Sequence, residues 1–242
     1  MCREQNPAGA PASQRRFDAL ILDFDGVIVE SEYEGNRHLA ELLTELGHPT
    51  DVETSMARFM GLSGASFHQA IETWIGRPIP ARFHELRAAE DARVLAEGVP
   101  PVAGAVTAIE GVDPALPRAI ASSSSSVWIK AHLDHVGLRR YFDDALIFSG
   151  REHVRHGKPA PDIYIHAAAA LGVPIERALI VEDSPVGVTG AVASGATVVG
   201  LTAGRHCAPG HGEILKRLGA HHIASSWAEV SALLSGAPTS AG

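Results

Sequence analysis

Two aspartates follow directly on an apolar segment near the start of the chain, which reads Ala19-Leu-Ile-Leu-Asp23-Phe-Asp25-Gly26. An apolar run of this kind predicts a buried strand. Burying two carboxylates at its end is costly unless a cation or a reacting group balances their charge. Side chains alternate along a strand, so Asp23 and Asp25 can point to the same side, at the strand end where parallel sheets bind ligands. Taken alone, the pattern also fits a strand that runs into an acidic turn.

Two further polar clusters could bind a phosphate: one supplies serine hydroxyls and the other supplies a lysine ammonium group. The serines Ser122–Ser126 follow the predicted strand Arg118–Ala121, where a hydroxyl and free backbone N–H groups can hold a phosphate oxygen. A serine loop that caps the next helix is the alternative. Lys158 lies in Gly157-Lys-Pro-Ala-Pro-Asp162, and its prolines rigidify a turn that opens a helix. A fixed ammonium there could neutralise a carboxylate–phosphate pair, whereas most lysines are simply exposed.

A second acidic pair, Glu182-Asp183, ends the apolar run Ala178–Val181. Acidic residues also cap helices, but two such pairs on two strands favour a binding role over capping. Together with Asp23 and Asp25, the pair supplies enough carboxylate oxygen to hold a hard cation such as Mg²⁺. The sequence therefore predicts a magnesium site where the strands end.

Composition limits the class of protein. The 242 residues are 45% hydrophobic, enough to bury the core of one large domain or two small ones, and the formal net charge is -8. No run of Lys or Arg marks a nucleic-acid surface, and no 18-residue apolar segment predicts a membrane span. Residues 1–14 lack the apolar region of a secretory signal, so we expect a soluble cytoplasmic protein. No structural disulfide is expected between Cys2 and Cys207.

Short apolar runs alternate with helical patterns along most of the chain, which predicts a doubly wound parallel α/β sheet. The predicted strands are Ala19–Asp23, Arg118–Ala121, Ala145–Phe148, Ala178–Glu182, Thr197–Leu201 and His222–Ala224. The predicted helices between them are Ser126–His135, Pro161–Leu171, Pro185–Ser194, His211–Leu218 and Trp227–Leu234.

One interval, from about Ser31 to Val99, shows helical patterns and no strand. We predict a small all-helical cap domain inserted after the first strand, because lids commonly shield chemistry at strand ends. An ordinary crossover that has grown longer is the alternative. The predicted organisation is an α/β core of residues 15–32 and 99–234, a cap of residues 33–98, and disordered tails of residues 1–14 and 235–242. The predicted cap helices are Glu34–Leu46, Thr50–Phe59, Ser63–Ile75 and Pro80–Ala96.

These motifs together resemble a known family. Asp23-Phe-Asp25-Gly-Val, Ser122, Lys158 and Glu182-Asp183 have the order and approximate spacing of the four motifs of the haloacid dehalogenase superfamily. The resemblance extends from about Phe17 to Leu234 and implies a Rossmann-like core. The helical insertion resembles the cap of the subgroup that includes β-phosphoglucomutase and many sugar phosphatases. The segment from Gly200 to His211 is similar to one in bacterial phosphatases of that subgroup, some of which act on sugar or sugar-acid phosphates.

The resemblance implies roles for individual residues. Asp23 would attack phosphorus to form an aspartyl-phosphate, and Asp25 would protonate the leaving oxygen and then activate water. Lys158 would be catalytic and, with Ser122, would hold the phosphoryl oxygens. Mg²⁺ would bind Asp23, the backbone carbonyl of Asp25, Asp183, and Glu182 directly or through water. Three more positions are predicted to bind substrate: Gly26, Ser123 and Ser63.

The resemblance also implies which reaction is catalysed. Dehalogenases of the superfamily lack the second aspartate and the metal, so Asp25 favours phosphorus chemistry. A sugar phosphomutase needs a distal cationic clamp, yet the cap loop Gly61-Leu-Ser-Gly64 lacks the arginine that β-phosphoglucomutases have there. The histidine that those mutases carry early in the first cap helix is also missing, because its position aligns near Gly35 in this sequence. We therefore expect a Mg²⁺-dependent phosphatase of a small phosphorylated metabolite, with no nucleic-acid or membrane partner, as a monomer or small homo-oligomer. A phosphomutase and a catalytically silent binding protein are the alternatives.

Several other residues are predicted to have structural roles. His206, Cys207 and His211 lack a common metal-ligand spacing and a fourth ligand, so a loop role is expected. Trp74 is expected in the core of the cap. Lys130 and His132 are expected to be exposed on their helix.

Overall fold

A parallel sheet forms the centre of the computed structural model, which describes residues 15–60, 62 and 64–236. Within those residues, six strands pair in the order β3-β2-β1-β4-β5-β6, all of them parallel. The predicted doubly wound α/β sheet is confirmed. The strands are β1 (Ala19–Leu22), β2 (Arg118–Ser122), β3 (Ile147–Ser149), β4 (Ala178–Glu182), β5 (Thr197–Leu201) and β6 (His222–Ala224).

Strand order explains why the polar clusters meet. The chain builds outward from β1 to β3 on one side and from β4 to β6 on the other, so the order reverses between β1 and β4. Ligands of open α/β sheets bind at such a reversal, beyond the carboxyl ends of the strands. In register, Leu22 pairs with Ile120 of β2 and with Val181 of β4, so the residues that follow these strands come together at one edge.

Helices cover both faces of this sheet. Alternate strand residues supply the two apolar clusters: Leu20 and Leu22 pack on one face, whereas Ala19 and Ile21 pack on the other. No helix among the described residues is both long and apolar enough to cross a membrane. The helices are α1 (Ser31–Glu45), α2 (Val52–Phe59), α3 (Gly64–Ile75), α4 (Ala81–Glu97), α5 (Ala105–Glu110), α6 (Ser126–His135), α7 (Asp162–Ala170), α8 (Pro185–Ala193), α9 (His211–Arg217) and α10 (Trp227–Ser235).

Helices α1 to α4 occupy the interval predicted to be the cap and have an apolar cluster of their own, which includes Leu43, Phe59 and Phe83. Trp74 packs against this cluster, as expected, and its indole N–H donates to the Thr50 hydroxyl at 2.9 Å. The boundaries of the cap stay a prediction, as do the tails. Residues 1–14 and 237–242 lie outside the described residues.

The observed bounds differ from the predicted ones where local turns intervene. Strand β3 begins two residues late because the Asp143 side chain accepts from the Ala145 N–H and holds a 3-10 turn at Asp144–Leu146. Helix α5 was not predicted, since six residues between Gly104 and Gly111 are too few to show a helical period.

The prediction that His132 is exposed was wrong. Its side chain is fully buried, because α4 packs over this part of α6. The His132 ring lies against Trp128, with ring centroids 3.8 Å apart, and its Nδ1 is 2.9 Å from the Trp128 carbonyl oxygen. Lys130 is only partly exposed and pairs with Asp144 at 3.0 Å.

The buried indole of Trp227 ties α10 to the loop that follows β1. Its N–H donates to the Val27 carbonyl at 3.0 Å. We predict that Trp227→Phe lowers the free energy of unfolding by about 1–3 kcal/mol, because the carbonyl is left buried without its donor. The measurement is equilibrium urea denaturation. Trp74→Phe is the matched control and should cost less, since the Thr50 hydroxyl is only part-buried and can bond to water. Equal losses in the two variants would contradict this explanation.

Candidate active site

Asp23 lies immediately beyond β1, and its backbone N–H still bonds to the Val181 carbonyl of β4 at 3.0 Å. That bond keeps Asp23 beside the end of β4, so its carboxylate lies within 4.8 Å of those of Glu182 and Asp183. All three residues are buried. The sequence motifs of β1 and β4 therefore form one acidic cluster at the predicted edge.

Lys158 lies between two of these carboxylates. Its Nζ is 2.7 Å from Asp23 Oδ1 and 2.6 Å from Glu182 Oε1, and the lysine side chain is only 5% exposed. Burial opposes its charge, but Asp23 and Glu182 outweigh burial and raise the pKa of Lys158, so the ammonium stays charged. Burial raises the pKa of Asp23 well above its usual value, and the Glu182 charge raises it further, while Lys158 opposes both.

Glu182 has both carboxylate oxygens engaged. Besides Lys158, the Tyr164 hydroxyl donates to Oε1 at 2.7 Å, and the N–H groups of Asp183 and Ser184 donate to Oε2 at 2.9 and 3.0 Å. Burial opposes ionisation, yet Lys158 and these donors hold the pKa of Glu182 below its ordinary value. Glu182 is therefore suited to positioning Lys158 and the β4–α8 loop. Sequence reasoning missed Tyr164, which no motif marked.

Among the residues that the structure describes, Asp183 has a hydrogen-bond partner for only one of its two carboxylate oxygens. Its Oδ2 is 2.8 Å from His206 Nε2, whereas its buried Oδ1 has no hydrogen-bond partner among the described residues. Burial raises the pKa of Asp183 well above its usual value, and the Glu182 charge adds to this effect. Gly26 makes room for this carboxylate: its φ is +76°, and a Cβ there would lie 1.9 Å from Asp183 Oδ2.

The acidic cluster fits a hard divalent cation. Its carboxylate charge exceeds the charge of Lys158, and the free Asp183 Oδ1 is a buried acceptor of the kind that Mg²⁺ prefers. Asp23 and Asp183 are the better ligands, because the oxygens of Glu182 already accept from Lys158, Tyr164 and the loop amides.

Asp25 lies in an environment of its own. Its carboxylate accepts from Ser31 Oγ at 2.7 Å, Trp128 Nε1 at 3.0 Å, Ser122 Oγ at 3.2 Å and Ser124 Oγ at 2.6 Å. These donors come from the start of α1, from the end of β2 and the serine loop after it, and from the first turn of α6. Sequence reasoning missed Ser31, Ser124 and Trp128. The serine loop and the turn that follows it were the available signal.

The predicted substrate-binding serines lie outside the acidic cluster or outside the described residues. Ser122 Oγ donates to Asp25 and accepts from the Ser124 N–H at 3.0 Å. Its role toward a phosphoryl oxygen stays a prediction, as does that of the exposed Ser123. The predicted substrate residue Ser63 lies outside the described residues.

A cavity of about 170 Å³ lies among helices α1 to α4. It begins at Ser31, the residue that donates to Asp25, and Glu32, Asn36 and Arg87 also line it. Hydrophobic side chains such as Phe67 complete its wall. The cavity can therefore receive a small polar group of a molecule that binds beside Ser31 and Asp25.

Known proteins are similar to most of this chain. Residues 17–195 match the model of the haloacid dehalogenase-like hydrolases. The chain is 29% identical to fructose-1-phosphate phosphatase YqaB of Escherichia coli K12, over 76% of this chain and 96% of the relative. It is 26% identical to 6-phosphogluconate phosphatase of the same organism, over 80% of this chain and 86% of the relative.

A solved structure is similar over almost its whole length. The HAD family hydrolase from Deinococcus radiodurans R1, crystallised with bound phosphate and sodium, superposes with a TM-score of 0.80 at 30% identity. The similarity covers 92% of this chain and 97% of the Deinococcus chain.

Gly187 provides the space that Glu182 occupies. A Cβ at this position would lie 1.8 Å from Glu182 Oε1. We predict that Gly187→Ala displaces the carboxylate and lowers the free energy of unfolding by roughly 1–3 kcal/mol, because buried donors lose their acceptor. Gly35→Ala is the matched control, since a Cβ there meets nothing within 4 Å and alanine favours the helix. Chemical denaturation of both variants tests this, and an unaffected Gly187→Ala protein would refute it.

Proposed function

Because the chain belongs to the haloacid dehalogenase-like hydrolase family, we propose that it hydrolyses a small sugar phosphate or sugar-acid phosphate with Mg²⁺, through an aspartyl-phosphate intermediate. Within that family it is a phosphoric monoester hydrolase, as the sequence predicts. The observation that carries the proposed mechanism is the buried cluster of Asp23, Lys158 and Asp183 at the end of β1 and β4.

Asp23 is the proposed nucleophile. A carboxylate oxygen attacks phosphorus, the bond to the leaving oxygen breaks, and an acyl phosphate forms on the side chain. Lys158, held by Glu182 at 2.6 Å, draws the anionic phosphoryl group toward Asp23 and offsets the negative charge of both. Mg²⁺ held by Asp23 and Asp183 would add positive charge for the phosphoryl oxygens. The chain thus catalyses mainly by positioning and charge stabilisation.

Asp25 is the proposed acid and base. In its protonated form it donates to the leaving oxygen, and the resulting carboxylate then takes the proton of the water that attacks the acyl phosphate. The hydroxyls of Ser31 and Ser124 and the indole of Trp128 stabilise that carboxylate and fix its direction. Asp25 therefore needs no ion pair with Lys158, which leaves Lys158 to Asp23.

The leaving group would occupy the cavity beside Ser31. Its acidic and basic lining residues, Glu32 and Arg87, suit a group that carries several hydroxyls and a carboxylate or second anionic centre. The relatives named for fructose 1-phosphate and 6-phosphogluconate act on phosphates of this size and polarity. These points support a sugar phosphate or a sugar-acid phosphate as the substrate.

The proposed role of Asp23 is tested by measuring the rate of phosphate release from a panel of sugar and sugar-acid phosphates, each with Mg²⁺ or with a chelator. We predict that Asp23→Asn lowers the rate by roughly 10³-fold or more, since the attacking oxygen is replaced by an amide. Asp134→Asn, on the exposed surface of α6, is the matched control and should keep full activity. Isomerised product without phosphate release would instead indicate a phosphomutase. Full activity in Asp23→Asn or in chelator would contradict the mechanism.

Arg87 offers a test of the cavity. We predict that Arg87→Gln raises KM for a sugar-acid phosphate by about tenfold, because an ionic hydrogen bond to the carboxylate is lost. For the corresponding neutral sugar phosphate, KM should change much less. Arg82→Gln is the control, since Arg82 lies on the same helix and also pairs with acidic residues, as Arg87 does with Asp91, but does not line the cavity. An equal change in KM for both substrates would mean that Arg87 does not bind the carboxylate of the sugar acid.

A further inference from the structure

We propose that His206, Cys207, His211 and Asp183 form a transition-metal site, taking Zn²⁺ or Co²⁺, whose occupation withdraws Asp183 from the magnesium site and inhibits the enzyme. The inhibition rests on the proposed function, whereas the metal binding does not. The loop after β5 supplies the His and Cys ligands, and the end of β4 supplies Asp183.

Three of the four candidate ligands converge on one place, and the Asp183 carboxylate contacts one of them, His206. One ligand atom each from His206, Cys207 and His211 lie within 4.8 Å of one another. His206 Nε2 is 3.4 Å from Cys207 Sγ and 2.8 Å from Asp183 Oδ2. His211 is held beside them, with its Nε2 2.6 Å from the Asp183 backbone oxygen. A tetrahedral Zn²⁺ site holds its ligand atoms roughly 3–4 Å apart. The Asp183 carboxylate and the His211 ring, which bonds to the Asp183 backbone oxygen, must therefore rotate toward Cys207 to complete the site.

The sequence predicted only a loop role for His206, Cys207 and His211 because the fourth ligand, Asp183, is far from them in the sequence. The spacing of His206, Cys207 and His211 matches no common zinc motif and leaves one position unfilled. Asp183 is 23 positions before His206 in the sequence, so the spacing within the loop could not reveal it. The fold brings it to His206 because β4 and β5 are paired neighbours.

Donor chemistry distinguishes this site from the acidic cluster beside it. Imidazole and thiolate ligands select Zn²⁺, Co²⁺ and similar ions, whereas Mg²⁺ prefers oxygen ligands. Burial, together with the charges of Asp183 and Glu30, raises the pKa of Cys207 to about 12, so the metal must displace the thiol proton. The bound ion would then face one thiolate and one carboxylate, which balance its double charge.

The surroundings hold the site in place and leave it accessible. His206 is 6% exposed, and its ring lies against Gly26 and Gly204, where a Cβ would approach to 2.8 and 2.6 Å. Its Nδ1 is buried and has no hydrogen-bond partner in the described part of the chain. Cys207 and His211 are partly exposed and give an ion a route from solvent.

Binding is tested without reference to activity, by titrating Co²⁺ into the full chain and recording the thiolate-to-cobalt absorption. The titration uses Cys2→Ser protein, because Cys2 is the other cysteine of the sequence. We expect the band to saturate at one equivalent, to vanish in Cys207→Ser and to weaken as Mg²⁺ is added. No band, a band that survives Cys207→Ser, or a band indifferent to Mg²⁺ would overturn the proposal. Serine differs from cysteine by one atom at a partly exposed position, so this variant should fold.

Inhibition is tested with Zn²⁺ at saturating Mg²⁺, on the substrate that the panel identifies. We expect Cys207→Ser to keep its activity with Mg²⁺ and to need at least about tenfold more Zn²⁺ for half-inhibition, as for loss of a metal-site residue. Equal inhibition of both proteins would overturn the proposal, since Zn²⁺ would then act at the acidic cluster alone. If the chain releases no phosphate from any compound, the proposed function fails while the cobalt titration still decides the metal site.

Discussion

The excess of buried negative charge where β1 and β4 end is the constraint on which the site depends. Asp23, Glu182 and Asp183 lie together out of water, and Lys158 contacts two of them. Such a cluster is costly unless its oxygens find donors or cations. The surrounding structure meets this demand in several ways. Tyr164 and the β4–α8 loop donate to Glu182, and glycines at 26 and 187 leave room for the carboxylates.

The same constraint divides the acidic residues by function. Glu182, which accepts from several donors, holds Lys158 and the loop in place. Asp183 keeps a free oxygen and contacts His206 and His211, so it can serve either the acidic cluster or the loop after β5. The Asp25 carboxylate is separate from Glu182 and Asp183 and accepts hydrogen bonds from a different set of donors. Because those donors come from α1 and α6, the position of the Asp25 carboxylate depends on these two helices as well as on the sheet.

Much of this architecture was readable from local patterns. Apolar runs predicted the strands to within about two residues, and Asp23, Glu182 and Asp183 come together at one edge as predicted. The Asp25 carboxylate, which was predicted to add to the same cluster, is instead held by Ser31, Trp128 and the serine loop. Patterns failed where the governing contact was distant. Residue 132 was predicted to be exposed because its own helix gives no sign that α4 covers it. The short helix α5 was missed because so few residues show no period.

The sequence by itself determined the order of the elements, the parallel sheet and the residue types that meet at its edge, because alternation and strand-end position are local properties. Only the tertiary structure decided how those residues share their partners. Ser122 donates to Asp25, Tyr164 donates to Glu182, and Asp183 lies against His206. Such pairings depend on angstrom-scale distances between side chains far apart in the chain, and no local pattern carries that information.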